Sequence, residues 1–218
     1  KEAGQWAFGN QNVQIIKNAI DAKRYIYDEQ KANLLKKSYH LENKLVIGHI
    51  GNYTEAKNHE FLIDIFSELF RKCADSHLIL VGIGNDNEKI KAKIESLQLQ
   101  DHVSLLGVRN DVADLLQMMD IFVFPSLNEG LGIAAIEAQA AGMPVFASDQ
   151  VPHEVDITEL ITHLSLNETA ETWAQKILES REHLKRNTFQ EIVNAGYDIE
   201  NNAMKLQEFY LDLADQIK

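Results

Sequence analysis

The chain has 218 residues, of which 45% are hydrophobic and 25% are charged, a composition typical of a globular domain with one sizeable core. Its formal net charge of −12 argues against a nucleic-acid partner and against docking on anionic lipid by charge alone. Its single cysteine, Cys73, excludes an intrachain disulfide and is expected to be a small buried apolar side chain.

Residues 1–43 contain few strong signals. Residues 1–9 have the pattern of a helix end, and residues 12–21 predict a short strand and a turn. A polar helix is predicted from Asp28, its N-cap, to about Tyr39.

From residue 44 to residue 148, strand and helix patterns alternate regularly. Short apolar runs predict five strands, at 44–50, 77–81, 102–106, 120–126 and 143–148. Helical patterns lie between them, at 58–70 with Asn58 as cap, 86–97, 111–119 with Asp111 as cap, and up to Gly142. This order predicts a parallel sheet with helices on both faces, and such folds bind ligands in the turns after the strands.

The secondary-structure pattern of the sequence is weaker after Ser148. Residues 155–166 are expected to contain a last short strand, and helices are predicted at 171–182 and 188–194. Asp198 is predicted to cap a final amphipathic helix that reaches the C-terminal region.

The turn after the fourth strand is predicted to bind an anion. It contains Gly130, Leu131, Gly132 and Ile133, directly before an Ala-rich helix. Free N–H groups and the positive end of the helix dipole meet there, and glycines let a ligand approach the backbone closely. Glu129 precedes the helix, and Glu137 lies about 7–8 Å up the helix from Gly132, at roughly 1.5 Å per residue.

This segment resembles a known family. The residues Asn128-Glu129-Gly130-Leu131-Gly132, with Glu137 eight positions after Glu129, are similar to the donor-site signature of retaining GT-B glycosyltransferases of family four. The resemblance implies that Glu129 contacts sugar hydroxyls, that Glu137 binds the nucleotide ribose, and that the turn between them holds the diphosphate. It extends from about residue 13 to the C-terminus and includes Glu154–Thr158, a segment typical of exopolysaccharide-type members.

The implied fold is α/β, a Rossmann-like three-layer parallel sheet that forms the C-terminal half of a GT-B fold, with a C-terminal crossing helix. In the family, a Pro-Asn-Gly-Ile-Asp turn links the two domains. Asn18, Ile20 and Asp21 match it, whereas Lys17 and Ala19 do not. We therefore expect 1–22 to be a remnant of the N-terminal domain and its linker, 23–197 to be the nucleotide-sugar-binding domain, and 198–218 to be the C-terminal helix. Most of the acceptor half is then missing, and sugar transfer by this chain alone is expected to be absent or feeble.

The resemblance assigns further residues in the turns that follow the strands. The family carries Gly-Arg and then a Lys after the first strand. Gly51 and Lys57 match, but Asn52 stands in place of the Arg. Either Asn52 still donates a hydrogen bond to the donor, or the site is weakened by the loss of a charge-assisted contact of roughly 1.5–3 kcal/mol. Lys57 and Glu129 are the expected catalytic residues.

The next two turns add weaker donor-site candidates. Gly82 and Gly84 follow the second strand, but Asn87 stands where a dinucleotide fingerprint needs a third glycine. Arg109 follows the third strand, where it is predicted either to contact a base or to be a solvated turn residue.

Several other chemistries lack their motifs. The eight histidines show no zinc-type spacing and no cysteine partners, so no metal site is expected. Neither a Gly-x-Ser-x-Gly elbow nor a Walker lysine motif occurs. Glu129 and Glu137 do not suit a glycosidase pair, because a phosphate turn and a helix do not flank one bond from opposite faces.

The predicted function is metal-independent transfer of a sugar, with retention, from a UDP- or GDP-linked donor to a saccharide or lipid-linked acceptor, in exopolysaccharide or capsule synthesis, with no cofactor. A non-catalytic nucleotide-binding module of the same fold is the alternative. A flavodoxin-like regulatory domain is a third reading, although Ile50-Gly51-Asn52 offers no phosphoacceptor carboxylate. Without a signal peptide or an apolar run of about 18 residues, a cytoplasmic location is expected, with peripheral association at the inner membrane face in the full-length protein.

Overall fold

The computed structural model describes residues 16–216, so the helix end predicted at 1–9 and the start of the strand predicted at 12–21 lie outside the described residues. The strands are β1 Leu45–Ile50, β2 Ser76–Val81, β3 Val103–Leu105, β4 Ile121–Phe124, β5 Val145–Ser148 and β6 Ile161–Leu164. The helices are α1 Glu29–Ser38, α2 His59–Lys72, α3 Asn87–Ser96, α4 Val112–Met118, α5 Ile133–Ala140, α6 Ala170–Glu179, α7 Phe189–Asn194 and α8 Ile199–Gln216.

The six strands form one parallel sheet in the order β3-β2-β1-β4-β5-β6. This is the strand order of a doubly wound nucleotide-binding fold, in which the chain starts at the centre and proceeds to each edge in turn. The structure confirms the predicted α/β class and the parallel sheet, and β6 is the short last strand expected within 155–166.

The sheet has an apolar core on each face, because successive strand residues point to opposite sides. On β4, Phe122 and Phe124 face one core, and Ile121 and Val123 face the other. The first core lies under α4, α5 and α7, and the second lies under α2, α3 and α6. All four β4 residues are buried, which explains the continuous apolar run of this strand.

All four predicted N-cap residues directly precede their helices, but only two of them cap a helix with the side chain. Asp28 accepts a hydrogen bond from the Lys31 amide, and Asp198 accepts one from the Asn201 amide. Asn58 and Asp111 occupy N-cap positions, but neither side chain caps its helix. Each is engaged elsewhere, Asn58 as a donor to the Pro125 carbonyl and Asp111 with Arg109.

Cys73 is only half-buried, because it lies at the C-terminal end of α2 rather than within the core. The expectation of a buried cysteine is therefore wrong in degree, although its side chain does pack against the second core.

The segment before β1 closes against the last helix. The Ile20 amide donates to the Tyr197 carbonyl at 2.9 Å, and the Ile199 amide donates to the Ile20 carbonyl at 2.8 Å. A short 3-10 helix, Ala22–Tyr25, then packs against α4, α5 and α7. Within residues 16–216, none of the helices combines the length and the apolar character that a bilayer span requires.

Candidate functional site

The candidate site lies between the C-terminal ends of β1 and β4, the neighbouring strands where the sheet order reverses. The chain leaves β1 toward α2 on one face and leaves β4 toward α5 on the other. The two outgoing loops touch through the Leu127 amide, which donates to the Ala56 carbonyl at 2.8 Å, and then lead to opposite faces. Open α/β sheets bind ligands at such a switch point. We call this place, between the loop 51–58 and the loop 125–132, the crevice.

The N-terminus of α5 opens into the crevice with free backbone donors. Gly132 is the N-cap residue, with a left-handed φ of 85°, and no side chain caps the helix. Among the described residues, no acceptor receives a hydrogen bond from the amides of Ile133 and Ala134. A Cβ built on Gly130 would meet nothing within 4 Å, so the backbone there is accessible. The predicted anion site therefore remains uncapped.

An ion pair crosses the crevice. The Lys57 Nζ atom lies 2.5 Å from Glu129 Oε1, and the two side chains are 21% and 10% exposed. Lys57 also lies over the Phe124 ring, with Nζ 4.7 Å from the ring centroid. The structure thus brings together the two predicted catalytic residues, which are 72 positions apart in the sequence.

The glycines after β1 and β2 permit close packing of two loops. A Cβ on Gly51 would lie 3.2 Å from Cε of Lys57. A Cβ on Gly82, whose φ is +142°, would lie 2.0 Å from the Gly51 carbonyl oxygen, and one on Gly84 would lie 2.2 Å from that of Tyr53. Gly82 and Gly84 are therefore explained by packing, and their contact with a donor stays a prediction. Asn52, exposed on the same loop, also stays a predicted donor contact.

Two buried histidines lie beneath Lys57. The rings of His49 and His59 meet edge-on with centroids 4.7 Å apart, and His49 Nδ1 contacts the Val123 carbonyl at 2.8 Å. Neither ring nitrogen of His59 has a hydrogen-bond partner. Burial, together with the nearby Lys57 ammonium, lowers the pKa of His59 to about 4, and burial lowers that of His49 as well. Both rings are therefore neutral at neutral pH and place no second cation near the crevice.

Glu137 lies on α5, facing the segment before α1. The Tyr25 hydroxyl donates to its Oε1 at 2.7 Å. Burial raises the pKa of Glu137, and the hydrogen bond from Tyr25 partly offsets this. Tyr25 is itself 8% exposed, and burial beside Glu137 raises the pKa of its phenol. Tyr25 thus orients a carboxyl group that has one remaining oxygen for a ligand.

Arg109 lies after β3, further along the same edge of the sheet. Its guanidinium forms two hydrogen bonds to Asp111, from Nε to Oδ1 at 2.8 Å and from Nη2 to Oδ2 at 2.5 Å. The pairing holds the pKa of the Asp111 carboxyl below its usual range. A base contact by Arg109 stays a prediction, and it would require stacking on the paired guanidinium or release from Asp111.

The sequence did not reveal several residues that shape the site. Nothing in the local pattern around Tyr25 indicates its contact with Glu137, 112 positions away. Gln139 did offer a signal, since it is a lone amide in an Ala-rich helix, and it proves fully buried.

Residues 30–190 match the family model of the glycosyl transferases group 1, which is 161 of the 218 residues. The chain belongs to this family. EpsF of Bacillus subtilis (strain 168), named as a glycosyltransferase, is 32% identical over 224 residues, covering 96% of this chain and 57% of EpsF. An Escherichia coli relative, the UDP-Gal:alpha-D-GlcNAc-diphosphoundecaprenol alpha-1,3-galactosyltransferase, is 28% identical over 214 residues. The match covers 92% of this chain and 54% of that relative. The chain thus spans only a little over half the length of these two relatives.

Solved structures agree on the fold. HepE of Anabaena, crystallised in complex with UDP and glucose, superposes with a TM-score of 0.75 at 22% identity, covering 96% of this chain and 61% of HepE. A glycosyltransferase from Rickettsia africae superposes with a TM-score of 0.77 at 20% identity, and the match covers 98% of this chain and 61% of that protein. The six-stranded sheet described above is therefore that of GT-B glycosyltransferases.

Proposed function

We propose that this chain forms the donor-binding part of a retaining glycosyltransferase of the hexosyltransferase type, acting on a nucleotide-sugar. The observation that carries the proposal is the uncapped N-terminus of α5 directly beside the Lys57–Glu129 pair. Free amides and one cation are the groups that a diphosphate requires, and a carboxylate suits the hydroxyls of a sugar.

In the proposed mechanism, the diphosphate lies on the Ile133 and Ala134 amides, and Lys57 turns from Glu129 to a phosphate oxygen. The amides and the ammonium stabilise the leaving diphosphate as its negative charge develops. Glu129, released from Lys57, accepts hydrogen bonds from the sugar, and Glu137 accepts them from the ribose. The acceptor hydroxyl bonds to the anomeric carbon on the face from which the diphosphate departs. The bond from that carbon to the phosphate oxygen breaks, and the departing oxygen takes the hydroxyl proton. The anomeric configuration is therefore retained without a protein nucleophile or a metal.

The donor and acceptor classes are proposed from the relatives. HepE was crystallised with UDP-glucose, and the name of the Escherichia coli relative gives a UDP-sugar donor and a diphosphoundecaprenol acceptor. A relative from Staphylococcus aureus, CapH, is named as a capsular polysaccharide biosynthesis glycosyltransferase at 24% identity. We propose a UDP- or GDP-sugar donor, a saccharide or lipid-linked acceptor, and a role in exopolysaccharide or capsule synthesis. We also propose a cytoplasmic location, with the full-length protein peripheral at the inner membrane face.

Calorimetric titration with UDP, GDP and their sugars tests the donor site. We expect one nucleoside diphosphate to bind and to raise the melting temperature by mass action. Glu137→Gln keeps an acceptor for the Tyr25 hydroxyl but removes the carboxylate, and we expect it to weaken nucleoside-diphosphate binding at least tenfold even without a sugar. Glu95→Gln, on the exposed face of α3, is the matched control and should bind normally. The absence of heat with every nucleotide would refute the donor site, and normal binding by Glu137→Gln would refute the ribose role alone.

A further inference from the structure

A second group of ligand-type side chains lies on the loop after β5. His153 and Asp156 belong to a short 3-10 turn and its end, and His163 lies in β6. Each of the three residues offers one possible ligand atom, and these atoms all lie within 4.8 Å of one another. Within residues 16–216, these three side chains form a group that could hold a metal ion. We call these three residues the His-Asp-His cluster.

The His163 ring lies between two hydrogen-bond acceptors, one at each ring nitrogen. Its Nδ1 atom lies 3.0 Å from the Ser148 carbonyl oxygen, and its Nε2 atom lies 2.7 Å from Asp156 Oδ1. Both neighbours only accept hydrogen bonds when the carboxylate is ionised. If Nδ1 carries the proton that the carbonyl accepts, the Nε2 lone pair faces a carboxylate. That contact is favourable only with a second proton or a metal ion at Nε2.

The contact between His163 Nδ1 and the Ser148 carbonyl favours a metal ion, rather than a second proton, at Nε2. Histidines that bind metals commonly donate their other ring N–H to a carbonyl or carboxylate, which fixes the tautomer and aims the free nitrogen. The Ser148 carbonyl holds the His163 ring in this manner, and the His163 side chain is only 15% exposed. His163 is thus a rigid, oriented ligand.

The other two ligands supply charge and adaptability. Asp156 Oδ2 lies 2.6 Å from His153 Nδ1, so the carboxylate bridges the two rings. Two ligands of a tetrahedral zinc ion lie about 3.3 Å apart, given bonds of about 2.0–2.1 Å. The distance between His153 Nδ1 and Asp156 Oδ2 would have to lengthen to hold an ion, and the His153 side chain, which is 77% exposed, has room to move outward.

We propose that His153 Nδ1, Asp156 and His163 Nε2 bind a divalent transition-metal ion of the zinc type, with water completing a tetrahedral site. Two imidazoles and one carboxylate suit Zn²⁺, whereas Mg²⁺ and Ca²⁺ prefer all-oxygen ligands. None of these three side chains has a role in the proposed sugar transfer.

The ion would join β6 to the turn that supports α5. Val155 lies in that turn, and its Cγ1 would be 3.8 Å from a Cβ built on Gly132. The Gln139 side-chain amide donates to the Val155 carbonyl at 2.8 Å. A metal at the His-Asp-His cluster would therefore stiffen the packing beneath the N-terminus of α5.

Zinc titration of the untagged, chelator-treated chain tests the proposal. We expect one equivalent of Zn²⁺ to bind in competition with a chromophoric chelator, and Co²⁺ to give the intense visible absorption of tetrahedral coordination. His153→Gln and Asp156→Asn should each weaken Zn²⁺ binding at least tenfold, and the exposure of His153 makes unfolding of the first variant no concern. His183→Gln removes an exposed histidine outside the cluster, and Cys73→Ser removes the half-buried thiol, and both should bind as the parent does.

Two results would overturn the proposal. One is a parent chain that binds no Zn²⁺ at concentrations up to about 100 µM. A dissociation constant of that size corresponds to a binding free energy of about −5.5 kcal/mol. The other is equal Zn²⁺ affinity in the parent, His153→Gln and Asp156→Asn, which would place the ion elsewhere. Neither result concerns nucleotide binding, so the donor site is judged separately.

Discussion

Lys57 and Glu129 neutralise each other across the crevice, and this pairing would govern how a donor binds. Both side chains are largely buried, so neither charge is well solvated when its partner is removed. A diphosphate would replace the Glu129 carboxylate as the partner of Lys57, which releases that carboxylate for the sugar. Charge exchange of this kind couples phosphate binding to sugar binding.

Replacement of Glu129 should separate these two contributions. In Glu129→Gln, Lys57 loses its anionic partner, so we expect nucleoside-diphosphate affinity to be retained or to increase. The additional affinity contributed by the sugar should disappear. Calorimetric titration with the nucleoside diphosphate and its sugar conjugate, side by side, measures both quantities. An equal loss for the two ligands would place Glu129 outside the sugar subsite.

His59 is a buried imidazole whose ring nitrogens have no hydrogen-bond partner. Its pKa of about 4 in the folded chain is below the ordinary value of 6.5, so the unfolded chain binds more protons between these two pH values. The free energy of unfolding therefore falls as the pH decreases through this window. From pH 7 to pH 5, this one residue would cost about 2 kcal/mol.

His59→Phe should remove that pH dependence. A phenyl ring fits the aromatic contacts with His49 and Tyr53 and does not titrate. We expect stability at pH 7 to be retained, and the loss between pH 7 and pH 5 to shrink by about 2 kcal/mol. Urea denaturation at both pH values measures the difference, and His183→Phe, at an exposed position, is the control. Parallel pH curves for the parent and His59→Phe would contradict the assignment.

At the scale of elements, Gln139 fastens α5 to the loop after β5. Its Nε2 atom donates to the carbonyls of Ala135 and Val155, at 3.0 and 2.8 Å. Its Oε1 atom accepts from the amides of Ile157 and Thr158 and from the Thr158 hydroxyl. One side chain therefore satisfies polar groups of two elements in a fully buried position.

Gln139→Leu should destabilise the chain strongly. Leucine has a similar volume but leaves the Thr158 amide without its acceptor and removes one of the two donors to the Val155 carbonyl, which keeps the Ile157 amide at 2.8 Å. We expect a loss of about 1–3 kcal/mol in the free energy of unfolding, because the Thr158 amide loses its acceptor and the Val155 carbonyl loses a donor. Urea denaturation measures it, with Gln207→Leu on the exposed face of α8 as the control. A loss below about 1 kcal/mol would show that the loop finds other partners.

At the scale of the whole molecule, burial decreases from the central strands to the C-terminal helix. β2, β4 and β5 are buried along their whole length. On α8, by contrast, Ile199, Tyr210 and Leu211 are 45%, 62% and 58% exposed. The described part of α8 thus leaves apolar surface uncovered.

Hydrogen exchange should follow this gradient. Amides in β2 and β4 are expected to exchange only through global unfolding, whereas those in the last two turns of α8 exchange through local opening. We expect protection to differ by at least about 100-fold between the two groups. Mass spectrometry of peptides that cover both elements measures it. Equal protection would mean that α8 unfolds together with the sheet.

The element order was predictable because periodicity is a local property. The runs that became β1, β2, β4 and β5 were short and apolar with clear turns between them, and each strand lies within its predicted range or extends it by one residue. The sequence did not show that the Asn58 and Asp111 side chains would leave their helices uncapped. Asn58 donates to the Pro125 carbonyl and Asp111 pairs with Arg109, and a local pattern does not encode these contacts.

The sequence by itself determined the parallel α/β class, the family, and the candidate residues in the turns after the strands, since these depend on spacing within short segments. The tertiary structure alone decided which residues meet. Lys57 and Glu129 pair across the crevice, Tyr25 orients Glu137, and His163 joins His153 and Asp156. Such pairs depend on which strands lie side by side, and strand neighbours follow from the packing of the whole core rather than from any one segment.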